Sequence, residues 1–297
     1  MIQVIVNGLS VGAFYALVAL GYSMVYGIIK LLNFAHGDIY MLGAYVGFVV
    51  LGALTSWLSL PTALGLVLVT LVTMALTGGA GVLMERVAYR PIRHAPRLSL
   101  LITAVGLSFA LEYGVRQIFG PKPSHFPVQI DAGSVNLFGA TITTARIIVI
   151  LVAGVLMVVL SLFVAKTRQG RAMRAIALDA KAARLMGIDV DRTISLVFFI
   201  GSALAGAAGV LAGAVYGTID FLMGFIIGIK AFTAAVIGGI GNLYGAMLGG
   251  VALGLLESFG VAWLGGQWRD VFSFLCLILF LTFRPTGILG GRVVERM

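Results

Sequence analysis

Long uncharged stretches alternate with short polar ones along the whole chain. The uncharged runs occupy 1–29, 39–60, 61–84, 147–165, 193–219 and 231–256, and 98–119 joins them apart from Glu112 and Arg116. Each meets or approaches the roughly 20 apolar residues that a helix needs to cross the hydrocarbon core of a bilayer. None carries the in-and-out alternation over about ten residues that marks a barrel strand. The pattern predicts an all-α, polytopic transmembrane bundle of about eight or nine membrane segments, treated as one transmembrane domain over 1–297.

Composition agrees, with 60% hydrophobic and 10% charged residues, where a soluble domain carries about a quarter charged. The first basic residue is Lys30, so no basic region precedes the opening apolar run and a cleaved signal peptide is not expected. Cys276 stands alone, which removes an intrachain disulfide and a thiolate pair for a metal.

The net charge of +9 would suit nucleic acid, but its distribution is topological. Fourteen of the 20 Lys and Arg fall in three places: Arg86, Arg90, Arg93 and Arg97; seven residues within 166–192; and Arg284, Arg292 and Arg296. Short loops rich in Lys and Arg stay cytoplasmic. Counting crossings from them puts the N-terminus outside, the C-terminus inside, and 120–145 outside. Pro121, Pro123, Pro127 and Gly133 make that outer loop a turn-rich cap.

Four crossings fit the last third, at about 194–217, 222–240, 244–264 and 268–283. Between Ala231 and Trp268 the sole charge is Glu257. One unbroken helix there would run about 57 Å at 1.5 Å per residue, nearly twice the core. The glycines Gly238, Gly239, Gly241 and Gly245 around Asn242 are the expected break, as a short surface turn or a re-entrant pair of half-helices lining a pathway. Ala205, Gly209, Gly213 and Gly217, and likewise Gly241, Gly245 and Gly249, recur every fourth position and permit close helix packing.

Lys166 to Arg192 holds seven basic and three acidic residues between two apolar blocks. Gly170 to Met186 is rich in good helix formers and Gly187 suits a left-handed C-terminal position, which predicts one helix of about four turns. Met173, Ile176, Ala180, Ala183 and Gly187 share a small or apolar face, with Arg171, Arg174 and Lys181 opposite. Such a helix either rests on the bundle and lipid phosphates or inserts into a groove of a cytoplasmic partner.

Polar groups within the spans are expensive and commonly face a cavity or a partner. Glu112, Lys230 and Glu257 are the charged candidates for a pathway or gate. More local roles compete: Glu112 can pair with Arg116 at i, i+4, and Glu257 can reach Lys230 or Arg269. Asn33, His36 and Asp38 form another polar interruption, either a loop whose Asp38 caps the next helix or a part of the pathway. Asn7 and Ser10 are helix-packing hydrogen bonders or pathway contacts.

Enzyme motifs are poorly supported. No Gly-Lys dipeptide occurs, so there is no Walker A loop, and His36, His94 and His125 lack a zincin spacing. Gly8-Leu9-Ser10-Val11-Gly12 matches G-x-S-x-G, but inside an apolar helical run rather than at a strand-to-helix elbow.

Several ordered blocks carry a resemblance. They are Asn33-Phe34-Ala35-His36-Gly37-Asp38 followed by Met41-Leu42-Gly43-Ala44-Tyr45; Arg174-Ala175 to Asp179-Ala180 with Leu185-Met186-Gly187-Ile188; Gly238-Gly239-Ile240-Gly241-Asn242 with Gly245; and Phe283-Arg284-Pro285-Thr286-Gly287-Ile288-Leu289-Gly290. Together they resemble the LivH-type permeases of branched-chain amino acid ABC importers over essentially the whole chain.

The resemblance implies an inner-membrane transport subunit rather than an enzyme, for branched-chain or other hydrophobic amino acids. A second related permease, two cytoplasmic ATPase subunits and an extracytoplasmic binding protein would be its partners, with no nucleic acid. ATP and Mg would bind the ATPases, leaving no cofactor in this chain. The segment 166–193 would be the cytoplasmic coupling element, with Arg171, Arg174, Ile176, Asp179, Ala180, Ala183 and Gly187 toward the ATPase. Two departures stand out. The family's usual glutamate is replaced near Ala177 and Leu178, with Asp179 the nearest acid, and Leu243-Tyr244 stands where relatives often have a proline. Urea, amides or other amino acids are alternative substrates, and a self-contained channel or ion-coupled carrier is the competing class.

Overall fold

The computed structural model describes residues 1–30, 32–57, 62–127, 133–137 and 140–290. The expectations about Arg292 and Arg296 lie outside the described residues. In chain order come α1 (Ile2–Ile29), α2 (His36–Trp57), α3 (Thr62–Met84), α4 (Arg97–Phe119), β1 (Ser124–His125), β2 (Ser134–Leu137), β3 (Ala140–Thr143) and α5 (Thr144–Lys166). Then follow α6 (Arg168–Leu178), α7 (Ala180–Leu185), α8 (Val190–Tyr216), β4 (Thr218–Ile219), α9 (Met223–Gly238), α10 (Leu243–Leu264) and α11 (Arg269–Phe283). Among the described residues eight helical segments are long and apolar enough to cross a membrane, while α9, at 16 residues, is shorter.

Lipid gives helices no hydrophobic reason to associate, so close backbone packing must do it. α1 and α8 form the buried centre of the bundle. α1 runs along α10 with Gly8 and Gly12 against the backbone of Leu255 and Val251, and Gly250 and Gly254 of α10 return the contact to Ala16 and Gly12. A Cβ at Gly12 would lie 2.9 Å from the Gly250 carbonyl oxygen, too close without a shift of backbone. The two stripes foreseen in the sequence pack within the chain: Gly209 against Tyr40 and Ala44 of α2, Gly245 and Gly249 against Gly238 and Ala234 of α9.

The three basic segments share one end of the bundle. Arg90 and Arg93 pair with Asp191 at the start of α8, and the chain around Arg284 folds back onto the end of α9 through Ile288 N–H to the Ile237 carbonyl at 2.8 Å. The turn at 238–245 lies at this same end, with Gly241 against Gly27 near the close of α1. Gly239 and Gly241 take positive φ (107° and 91°), and the Asn242 side chain accepts from Gly245 N–H to start α10. It is a tight turn at the edge, not a re-entrant break at depth.

Helices begin inside the bundle elsewhere. His36, the first residue of α2, packs between Gly21 and Gly201. Those residues lie eight and eleven positions from the basic ends of α1 and α8, or about 12–16 Å at 1.5 Å per residue. Gly224, in the first turn of α9, packs against Gly37 and Asp38, so two helix starts meet in the interior.

Among the described residues of 120–145, β2 and β3 pair antiparallel, and β1 pairs with β4 beyond α8. At the basic end of α3 the helix widens into a π turn over Glu85–Tyr89, which directs both of those side chains inward.

Candidate functional site

The segment between α5 and α8 is two helices, not one. Thr167 caps α6 by accepting from Gly170 N–H at 3.0 Å. Asp179 then leaves the helical conformation (φ −156°, ψ 107°) and its carboxylate accepts from Lys181 and Ala182 N–H at 2.8 and 3.0 Å. A short acidic side chain competes well for backbone donors at a helix start, and that competition divides the run that the propensities alone would join. These two hydrogen bonds hold the Asp179 carboxyl below the usual carboxylate range. Gly187 has φ 82°, the left-handed ending expected of it.

The division redistributes the foreseen face. Met173, Ile176 and Ala183 are buried against the bundle, whereas Ala180 and Gly187 are exposed. Arg174 turns back so that its guanidinium donates to the Val164 and Ala165 carbonyls at the end of α5, which favours a cation there. Arg171 is exposed. Apolar side chains are exposed here as well: Leu178, Leu185 and Met186 are 90%, 88% and 83% exposed. Helix-face counting missed these three because it assumed one continuous axis.

A second polar group lies inside the bundle. Asn33, His36 and Asp38 are buried, and the Asn33 side-chain oxygen accepts from the Tyr89 hydroxyl at 2.5 Å. Asp38 does not cap α2. It sits within the first turn and accepts from the Ser108 hydroxyl of α4 at 2.5 Å, beside the carboxyl of Glu112. Glu112 is therefore drawn inward, away from Arg116, whose guanidinium lies over the rings of Tyr113 and Phe221. Tyr22 crosses His36 edge-on at 5.0 Å.

A third group joins four helices. Lys230 of α9 lies 2.8 Å from Glu257 of α10 and 2.7 Å from Asp270 of α11. Glu257 also accepts from the Tyr15 hydroxyl of α1 at 2.8 Å and from the Ser273 hydroxyl of α11, with Arg269 at 3.7 Å. The pairing of Glu257 with Lys230 and Arg269 was legible in the sequence, while Tyr15, Asp270 and Ser273 gave no signal. Nearby, Arg146 of α5 donates to the Asn7 side chain, and Asn7 and Ser10 line a small recess with Arg269 and Tyr216. Asn242, by contrast, holds the turn before α10 and donates to the Leu289 carbonyl at 2.8 Å. Among the described residues no three His, Cys, Asp or Glu stand together as metal ligands.

Near the basic end, Arg93 bridges Glu85 of the π turn at 2.5 Å and Asp191 of α8 at 2.7 Å, and Ser195 donates to Glu85 at 2.7 Å. Glu85 is fully buried, and no periodicity singled it out.

With this geometry in hand, known proteins supply context. The sequence profile of a family described as "Branched-chain amino acid transport system / permease component" matches residues 4–281. The chain is 46% identical over 306 aligned positions to the high-affinity branched-chain amino acid transport system permease protein LivH of Salmonella typhimurium, covering 100% of this chain and 97% of that one. It is 45% identical over 300 positions to the permease protein BraD of Pseudomonas aeruginosa, covering 100% and 98%. A weaker similarity, 29% over 234 positions, joins it to LivM of Salmonella typhimurium, covering 69% of this chain and 51% of that one.

Proposed function

This chain belongs to the family of permease components of branched-chain amino acid transport systems, and on that premise we propose how it carries out transport. It is an integral membrane, non-enzymatic transport subunit of the ABC-importer class. The proposal is that it passes branched-chain amino acids inward together with a second permease, driven by two ATPase subunits at the basic end. A binding protein delivers substrate at the other end. ATP and Mg reside on the ATPases, the basic end is cytoplasmic, and the N-terminus lies outside.

One observation carries the coupling role: the three strongly exposed apolar side chains of the α6–α7 segment, Leu178, Leu185 and Met186. Fully exposed Leu and Met on a cytoplasmic helix pair fit insertion into a partner's cleft better than rest against lipid phosphates. Asp179, Ala180 and Gly187 lie on or beside that tip, while Ile176 and Ala183 seat it on the bundle. When the ATPases close, the tip is displaced, and α5 and α8, fused to its two sides, tilt with it. The α8 glycines leave no side chains to obstruct that sliding, and the starts of α2 and α9 meet in the interior where Gly224 packs on Gly37 and Asp38. Asn33, His36, Asp38, Glu112, Lys230 and Glu257 are the polar residues proposed to line or hold the route.

The test is ATP-dependent uptake of labelled leucine in proteoliposomes holding this chain, its candidate permease and ATPase partners and a binding protein. Ala180→Glu and Leu185→Asp should insert normally yet lower uptake at least ~10-fold, which corresponds to about 1.4 kcal/mol of lost coupling. Normal uptake in both variants would remove the docking role, and transport by this chain alone would remove the ABC reading.

A further inference from the structure

The π-turn side of the coupling segment borders an open cavity of about 500 Å³, within the range of about 300–1,000 Å³ of small-molecule sites. Its composition differs from both the lipid-facing surface and the buried core. Part of the lining is branched aliphatic: Ile28 and Ile29 of α1, Ile176 of α6 and Ile194 of α8. Part is charged: Arg90 and Arg93 beside the π turn, Arg184 of α7 and Asp191 of α8. Arg93 is committed to Glu85 and Asp191. Arg184 makes no ion pair among the described residues, and Arg90 reaches Asp191 Oδ2 at 3.2 Å while Arg93 holds Oδ1.

We propose that this cavity is a binding site for a free amino acid with a branched aliphatic side chain, on the face where the transported molecule is released, and that its occupancy slows transport. The inference rests on the transport reading above. The chemistry is complementary in three parts. A carboxylate finds the forked donors of Arg184 and Arg90, an ammonium finds Asp191, and an isobutyl or sec-butyl group finds the isoleucine side chains. The placement supplies the regulation. The walls come from α1, α6, α7, α8 and the π-turn loop, so a ligand there ties the coupling segment to the body it must move against. Binding preferred in the resting arrangement opposes displacement by the difference in affinity between the two arrangements.

The experiment uses the complete transporter in proteoliposomes and reads the ATPase rate stimulated by loaded binding protein, which label exchange cannot distort. Vesicles are arranged so that the basic face can be supplied with leucine, leucinamide, 4-methyl-2-oxopentanoate or inorganic phosphate. Leucine at that face should lower the rate about fivefold or more, the lower end of ordinary allosteric coupling. Leucinamide, lacking the carboxylate, should have little effect, and the oxo acid an intermediate one. Arg90→Ala should abolish the inhibition while the rate without added leucine is retained, and Ile194→Trp, which fills the cavity, provides a second variant. Equal inhibition in both variants, equal inhibition by leucinamide, inhibition by phosphate but not leucine, or none at all would each overturn the site. Loss of stimulated ATPase and uptake in leucine-free vesicles would instead count against the transport reading itself.

Discussion

Glu85 and Glu257 are both buried carboxylates paired with a cation that also reaches an aspartate, and they sit toward opposite ends of the bundle. Around Glu85 the cation is Arg93, 15% exposed, and the cluster joins only the π turn and its loop to α8. Around Glu257 the cation is Lys230, 3% exposed in the middle of α9, and side chains from α1, α9, α10 and α11 converge. The first cluster stands next to the coupling segment and opens toward water through Asp191. On the proposed mechanism it can exchange partners when α8 tilts. The second also reaches water, through Asp270 and Arg269 at its rim, but Lys230 and Glu257 themselves are almost wholly buried and side chains from four helices meet on them, so it holds those helices against one another.

The comparison is broken most severely at Glu257. Glu257→Ala leaves Lys230 with only the half-exposed Asp270, and removing one member of a buried pair costs about 3–5 kcal/mol. The expected result is loss of a monodisperse species in size-exclusion chromatography with a large fall in thermal midpoint. The double variant Glu257→Leu with Lys230→Met should recover most of it, since an apolar replacement of similar volume is often neutral. Recovery of nothing would mean that the charges do more than hold helices. Arg93→Ala is the matching change at the other end. Glu85 keeps the Ser195 hydroxyl, so the cost falls to about 1–3 kcal/mol, and uptake should drop more than stability.

Gly187→Val sharpens the contrast from the mobile side. A β-branched residue at φ 82° is strained by about 1–3 kcal/mol, but the strain is local to an exposed turn. Uptake should fall while the thermal midpoint holds, measured on the same preparation. The smallest effect concerns Asp179. Its carboxyl is held below the ordinary range, so its cap is present above the unfolded value and is lost only as pH falls through the lowered folded one. Coupling efficiency, as uptake per ATP, should therefore show no step attributable to Asp179 between roughly pH 5 and 8. A step that disappears in Asp179→Asn would contradict this.

Much of the bundle was legible because lipid demands long uncharged runs, and the ends of α1, α3, α4, α5, α8, α10 and α11 fall close to the runs read from the sequence. The short length of α9 was foreseen only as one alternative, since its start at Met223 depends on Gly224 meeting Gly37 and Asp38 across the fold. The helical segment expected between α5 and α8 is there, but as two helices where one was drawn. Propensity is summed over neighbours, whereas the break comes from one carboxylate capturing two backbone donors. The same limit hid Leu178, Leu185 and Met186, whose exposure follows from the break. Glu85, Tyr15 and Ser108 were invisible for a different reason: their partners lie 110, 242 and 70 residues away in sequence.

The pairing of α1 with α10 sets the order in which the molecule can be made. The ribosome releases Tyr15 about 240 residues before Glu257, its partner, so the first helix must wait in the bilayer with its glycine stripe uncovered while five other long helices and the short α9 are inserted. The stitch that closes the basic end comes later still, because the carbonyls of Ile237 and Gly238 are taken only by Ile288 and Leu289. A nascent chain stopped before those residues presents open carbonyls and an unfilled seam, features by which membrane proteases and chaperones can tell an unfinished permease from a finished one.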